Sequence, residues 1–199
     1  MVENSIACNL SCLSCGRRSV AGVRSRPRLS REEMREIASL LGRLSVKQIH
    51  FFNLGEPFLD EEVGEQLRIL REGNPAAEIG SSTNGLALDT EEKREAALLL
   101  DRIAFSLDGV TTEMVRRYQR GGDFPRAYEN MKALAAYRNV RGRKRPEIVW
   151  KYLLFRWNDR APAVRRALAL GREAGVDQIW FCPTCSPLGG TSLRYFASP

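Results

Sequence analysis

Short β-rich runs alternate with amphipathic helical segments along nearly the whole of this chain, and that alternation restricts the fold more than any other feature. Around Ser30, LSREEMREIASLLGRL reads as a helix opened by a capping box of Ser30 and Glu33, with Met34, Ile37, Leu41 and Leu44 recurring on one face. VKQIHFFNL (46–54) is short and β-rich and is closed by Gly55, as a buried strand is. The pattern then repeats. Asp60 to about Arg71 reads as a helix, EIGSST (78–83) as a strand ending at Asn84-Gly85, and Thr90 to Leu100 as a helix. RIAFSL (102–107) reads as a strand closed by Asp108-Gly109, residues 111–119 and 125–138 as helical, and EIVWKYLLF (147–155) as a longer strand. Arg160 to Ala174 and DQIWFC (177–182) close the series.

Strands alternating with helices imply right-handed βαβ units and a parallel sheet. With a short strand before Cys8 the count is six, too few for a closed eightfold barrel. The expected fold is therefore α/β, a partial (β/α)6 TIM-like barrel with parallel strands, and a doubly wound open sheet is the alternative. Residues 1–199 are expected to form one core domain, a length that supports a sizeable core. In parallel α/β folds functional side chains gather at the C-terminal ends of strands. Cys8, Gly55-Glu56-Pro57, Thr83-Asn84-Gly85, Ser106-Leu107-Asp108-Gly109 and Cys182 all follow or end strands, so they point to one rim.

Charge narrows the partners little. Lys and Arg number 31 against 24 Asp and Glu, a net +7. The basic residues concentrate in Arg17–Arg31 and Arg138–Arg145 without interleaved aromatics for stacking on bases, so a solvated face is expected rather than nucleic-acid binding. No run approaches about 20 apolar residues, and MVENSIACNL lacks the basic and apolar regions of a secretion signal. The expectation is a cytoplasmic protein with no membrane partner. Five unevenly spaced cysteines then suggest metal binding before a disulfide framework.

Cys8-x3-Cys12-x2-Cys15 places three thiolates in one short loop, where their sulfurs can converge on one face of a cubane cluster. Three ligands leave one iron open, as a catalytic metal site requires. CNLSCLSC resembles the CxxxCxxC signature of the radical S-adenosylmethionine superfamily; FNLGEPFL resembles its GGEP motif, STNG and SLDG its third- and fourth-strand motifs, and YQRGGDF the segment that often follows. The likeness runs from residue 8 to about 158. It implies that Cys8, Cys12 and Cys15 hold a [4Fe–4S] cluster whose open iron is chelated by S-adenosylmethionine. It further implies reductive cleavage of that cofactor to methionine and a 5′-deoxyadenosyl radical, which abstracts hydrogen from a substrate. An electron donor such as flavodoxin or ferredoxin goes with that chemistry.

Other roles follow from the same resemblance. Gly55 and Glu56 are both assigned to the cofactor: Glu56, between Gly55 and Pro57, is placed to accept its ammonium, Leu54 standing where a first Gly is common. Ser106 and Asp108, two apart on one strand, are read on one face, contacting the ribose or methionine part. Arg120 or Arg117 is assigned to the cofactor carboxylate, with Lys151 and Asn158 as weaker candidates. Ser14 departs from the aromatic residue many relatives carry there. His50, the one histidine, reads as structural. Cys182 and Cys185 are open to three readings: half of a second cluster site, a redox or hydrogen-donor pair, or ordinary loop cysteines.

Two function classes stand against each other. One is a radical enzyme acting on an unknown substrate, with peptide or protein modification as the suggested class. The other is a truncated or non-catalytic iron–sulfur or metal module with a basic surface for an acidic partner. Glu56 and the open iron favour the enzyme, since a structural site needs neither.

Overall fold

A computed structural model describes residues 1–195, so the last four positions of the expected 1–199 domain lie outside the described residues. Five parallel strands form one sheet: β1 (Gln48–His50), β2 (Glu78–Thr83), β3 (Arg102–Ser106), β4 (Glu147–Leu154) and β5 (Gln178–Pro183). They lie in the order β1-β2-β3-β4-β5. Each strand pairs with the next in sequence, and no reversal interrupts the winding. A doubly wound sheet needs such a reversal, so the consecutive order selects the partial barrel.

The helices are α1 (Arg17–Val20), α2 (Arg31–Arg43), α3 (Val63–Gly73), α4 (Glu91–Ala97), α5 (Thr112–Arg116), α6 (Phe124–Val140) and α7 (Ala161–Ala174). The Ser30 capping box forms as read, with the Ser30 hydroxyl accepting the Glu33 N–H and the Glu33 carboxylate accepting the Ser30 N–H. Ile49, Phe51, Ile79, Ile103, Phe105, Ile148, Trp150 and Tyr152 are buried on the sheet face that meets the helices, against Leu67, Leu70, Met131, Leu134 and Leu170. Alternation sends Gly80, Ser82, Ala104, Ser106, Lys151 and Trp180 to the opposite, inner face.

The sixth strand, expected before Cys8, does not form. Its backbone partners are split: Val2 N–H donates to the His50 carbonyl and Ala7 O accepts from Glu56, while Ile6 N–H donates to Pro27 O and Asn4 O accepts from Leu29. Only one antiparallel bridge, Ser5 with Arg28, results. Segment 2–7 is therefore pinned between the end of β1 and the 27–29 stretch, and it delivers Cys8 to the C-terminal rim.

Candidate active site on the C-terminal rim

The loop carrying the three thiols is built outward from that segment. Ser11 N–H donates to Arg120 O and Leu13 N–H to Tyr118 O, both at 3.0 Å, so the loop is laid along the stretch after α5. Within it, the Leu10 N–H approaches Cys8 Sγ at 3.5 Å, and Arg17 Nη2 donates to Leu10 O at 3.0 Å. Cys8, Cys12 and Cys15 are partly buried and free of disulfides. Burial pushes Cys12 up to about 12, and negative charge on Cys8, Cys15 and Asp108 adds to the rise. Cys8 is also raised, chiefly by burial. A loop in which Cys8 and Cys12 are both raised, in part by the charge of neighbouring cysteines, is a site that calls for a cation.

Among the described residues, no three His, Cys, Asp or Glu side chains converge on a point that would hold one metal ion. A polynuclear iron–sulfur cluster, where each thiolate takes a different iron, suits the donor set.

Glu56 lies on the adjoining turn and is buried. Its Oε1 accepts the Thr83 hydroxyl at 2.7 Å and the Phe58 N–H at 3.3 Å; Oε2 accepts the Asn84 N–H at 2.7 Å. Burial pushes its carboxyl up, and those bonds oppose the shift. Gly55, read above as a cofactor contact, has its N–H bonded within the protein. Its N–H donates to Glu3 Oε1 at 3.0 Å, and a Cβ there would lie 1.8 Å from Ser5 O. The glycine is needed for segment 2–7 to pass.

The pairing of Ser106 with Asp108 on one strand face needs correction. β3 ends at Ser106, so strand alternation stops before Asp108. Ser106 Oγ meets Ser82 Oγ at 3.1 Å across the inner face, whereas Asp108 Oδ1 accepts the Leu153 N–H of β4 at 2.8 Å. Asp108 is buried, and burial pushes its carboxyl up to about 7. Arg120 is exposed, and its carbonyl holds the cysteine loop; Arg117 is exposed as well. Asn158 is buried, with Nδ2 donating to Asp108 O and Leu153 O and Oδ1 accepting the Phe155 N–H. Cys182 is partly buried on β5 and Cys185 exposed beyond it.

Four residues that sequence reasoning did not assign help to build the rim. Gln119 bridges Asp108 N–H and Ser106 O; Asn84 Nδ2 donates to Asn9 at 2.7 Å and lies 4.0 Å from Cys8 Sγ. Tyr118, pushed up to about 12 chiefly by burial, feels the charge of Cys12. Glu3 accepts both the Leu54 and Gly55 N–H groups and pairs with Arg24. Asn84, Tyr118 and Gln119 fall inside motifs noted above; nothing in the sequence marks Glu3.

Known proteins are similar to this chain in sequence or in fold. The GTP 3′,8-cyclase of Limosilactobacillus fermentum is 27% identical over 65% of this chain and 39% of its own length. SuiB of Streptococcus suis superposes with a TM-score of 0.69 at 14% identity, over 98% of this chain and 42% of its own. The structure of anSMEcpe with AdoMet and the Cp18Cys peptide gives a TM-score of 0.66 at 20% identity, over 100% of this chain and 54% of that one. This chain thus spans about two fifths of the length of the curated cyclases it matches. The sequence profile of the Radical SAM superfamily matches residues 5–142. That match runs from the N-terminal segment past the end of α6, well over half of the chain, and on it the chain belongs to the radical SAM superfamily.

Proposed function

We propose that residues 1–199 form the core of a radical SAM enzyme in which Cys8, Cys12 and Cys15 hold a [4Fe–4S] cluster and S-adenosylmethionine completes its open iron. When bound, these groups supply one-electron cleavage of the sulfonium to methionine and a 5′-deoxyadenosyl radical, which takes a hydrogen atom from substrate. Glu56 keeps a lone pair for the cofactor ammonium beyond its bonds to Thr83, Phe58 and Asn84. Ser106 is assigned to the ribose or methionine part and Arg120 to the carboxylate, while buried Asp108, bonded to the Leu153 N–H, shapes the rim beside them. An external donor of flavodoxin or ferredoxin type delivers the electron. The observation that carries the reading is geometric: Cys8, Cys12 and Cys15 share one short loop, and Asn84, whose N–H is held by Glu56 at 2.7 Å, lies with its side chain 4.0 Å from Cys8 Sγ.

A peptide or protein is the proposed substrate class. It is supported by the likeness of the whole described fold to SuiB, solved with its precursor peptide SuiA, and to anSMEcpe, solved with peptides. The basic-surface alternative is weakened by pairing within the chain: Arg24 with Glu3, Arg28 with Asp60, Arg31 with Glu62, Arg138 with Asp177 and Arg141 with Glu95. Among the described residues no helix is long and apolar enough to cross a membrane.

Anaerobic reconstitution with iron and sulfide, reduction, and addition of S-adenosylmethionine test the proposal. Wild type should yield 5′-deoxyadenosine and methionine by mass spectrometry, and Cys12→Ala should not. A four-iron cluster without cleavage would favour the non-catalytic module instead.

A further inference from the structure

The inner face of the sheet carries a trough whose lining includes none of Gly55, Glu56, Ser106, Asp108 and Arg120, and shares with the cofactor candidates only Lys151. Its floor is Gly80 and Ala104, the smallest side chains of that face, and Lys151 and Ser82 stand at its end nearer the rim. His50 and Phe52 wall one side, in edge contact with ring centroids 5.8 Å apart. Trp180 walls the other. Its Nε1 donates to Gln178 Oε1 at 2.6 Å, and the Arg102 guanidinium lies 5.7 Å from its ring centroid, so the indole is held before any ligand arrives.

Space and charge both restrict what fits. The trough holds about 160 Å³. A cavity of roughly 150 Å³ accepts one benzene ring, so the volume suits one aromatic ring rather than a whole substrate. Arg102 is neutralised by Glu78 and Glu147. Lys151, half-buried and opposite both Ser106 and Trp180 in register, pairs with no carboxylate among the described residues, although the buried Asp108 lies within its electrostatic reach. A half-buried cation lining the same trough as the Ser82 hydroxyl is a receptor for anionic oxygen.

From this geometry we propose that the trough is a substrate subsite for an aromatic ring carrying an adjacent carboxylate or phosphate, with the ring between Phe52 and Trp180 and the anion on Lys151. The inference rests on the radical SAM reading only for the name substrate; the subsite itself is a binding property. In the peptide setting it selects an aromatic residue beside an acidic, phosphorylated or C-terminal carboxylate group.

Binding to the full-length, cluster-loaded protein is followed by tryptophan fluorescence and saturation-transfer NMR, with phenylacetate, phenyl phosphate, phenylacetamide and acetate as probes. The ring-bearing anions should bind at least about tenfold more tightly than the neutral amide, the discrimination of one charge-assisted hydrogen bond, and more tightly than acetate, which has no ring to bury. The stronger of phenylacetate and phenyl phosphate identifies the anion. Lys151→Met should erase the preference for the anions, and Ala104→Leu, which fills the floor, should abolish binding of all the rings. Lys144→Met, on the exposed loop after α6, should change nothing. Equal binding of phenylacetate and phenylacetamide, or an unchanged Lys151→Met profile in a protein of wild-type circular dichroism, overturns the subsite. Cofactor cleavage is measured on the same samples, so loss of cleavage with retained probe binding counts against the enzyme reading alone.

Discussion

Glu56 accepts the Thr83 hydroxyl at 2.7 Å, and this bond ties the turn after β1 to the end of β2. With the Asn84 N–H on its other oxygen, the carboxylate fixes two neighbouring strand ends beside the cysteine loop. Glu56→Gln keeps the shape but must set its amide N–H₂ against a backbone N–H on one side. Leaving such a buried donor unmatched costs about 1–3 kcal/mol. Urea unfolding should show that loss with an unchanged m-value, and unchanged stability would mean that the clamp does not hold the rim.

Asp108 makes stability depend on pH in a direction opposite to that of an ordinary paired carboxylate. Burial raises its folded pKa to about 7, above the unfolded value near 4. Between those values the folded state binds more protons than the unfolded one, so stability falls as pH rises. The slope from this one group cannot exceed about 1.4 kcal/mol per pH unit. Asp108→Asn keeps an oxygen for the Leu153 N–H and carries no charge. In iron-free protein the variant should gain on wild type from pH 5 to 7 and hold a constant margin above; parallel curves would mean that Asp108 does not titrate in this range.

The same two residues show what the sequence made legible. Strand β2 lies at 78–83 as read, because alternating burial and the Asn-Gly stop mark both its periodicity and its end. β1 shrinks from the expected 46–54 to Gln48–His50, since beyond Phe51 the chain turns away to place Glu56, and hydrophobicity alone does not report that departure. Motif order brought Cys8, Cys12, Cys15 and Glu56 to one rim correctly. Contacts were the hidden part: Gly55 and Glu3 are joined by bonds that span about fifty positions, and no local pattern encodes them. Likewise, the missing sixth strand reflects competition between two partners for segment 2–7, which only the tertiary arrangement decides.

Gly55→Ala tests the passage of that segment. A Cβ at 1.8 Å from Ser5 O and 2.8 Å from Ser5 C meets backbone, which cannot rotate aside. The 2–7 segment would have to shift, taking Ala7 and Cys8 with it, at an overpacking cost of about 1–3 kcal/mol or more. Alongside lower stability, the variant should take up less iron on reconstitution than wild type. Gly189→Ala, where an added Cβ meets nothing within 4 Å, is the control expected to match wild type in both measurements.

Thiol reactivity separates the two cysteine groups. In iron-free protein at neutral pH, burial with Cys8 and Cys15 nearby holds Cys12 at about 12. Its thiolate is then scarcer than that of a free cysteine by a factor on the order of a thousand. Iodoacetamide labelling mapped by peptide mass should modify exposed Cys185 first and Cys12 last. Cys12 labelling should rise about tenfold per pH unit, because the thiolate is the reacting species. Cluster loading should protect Cys8, Cys12 and Cys15 while leaving Cys185 open, and chelation of the iron should remove that protection. Protection of Cys182 and Cys185 together with the other three would instead assign them to iron, which selects the second-cluster reading over a redox pair or plain loop cysteines.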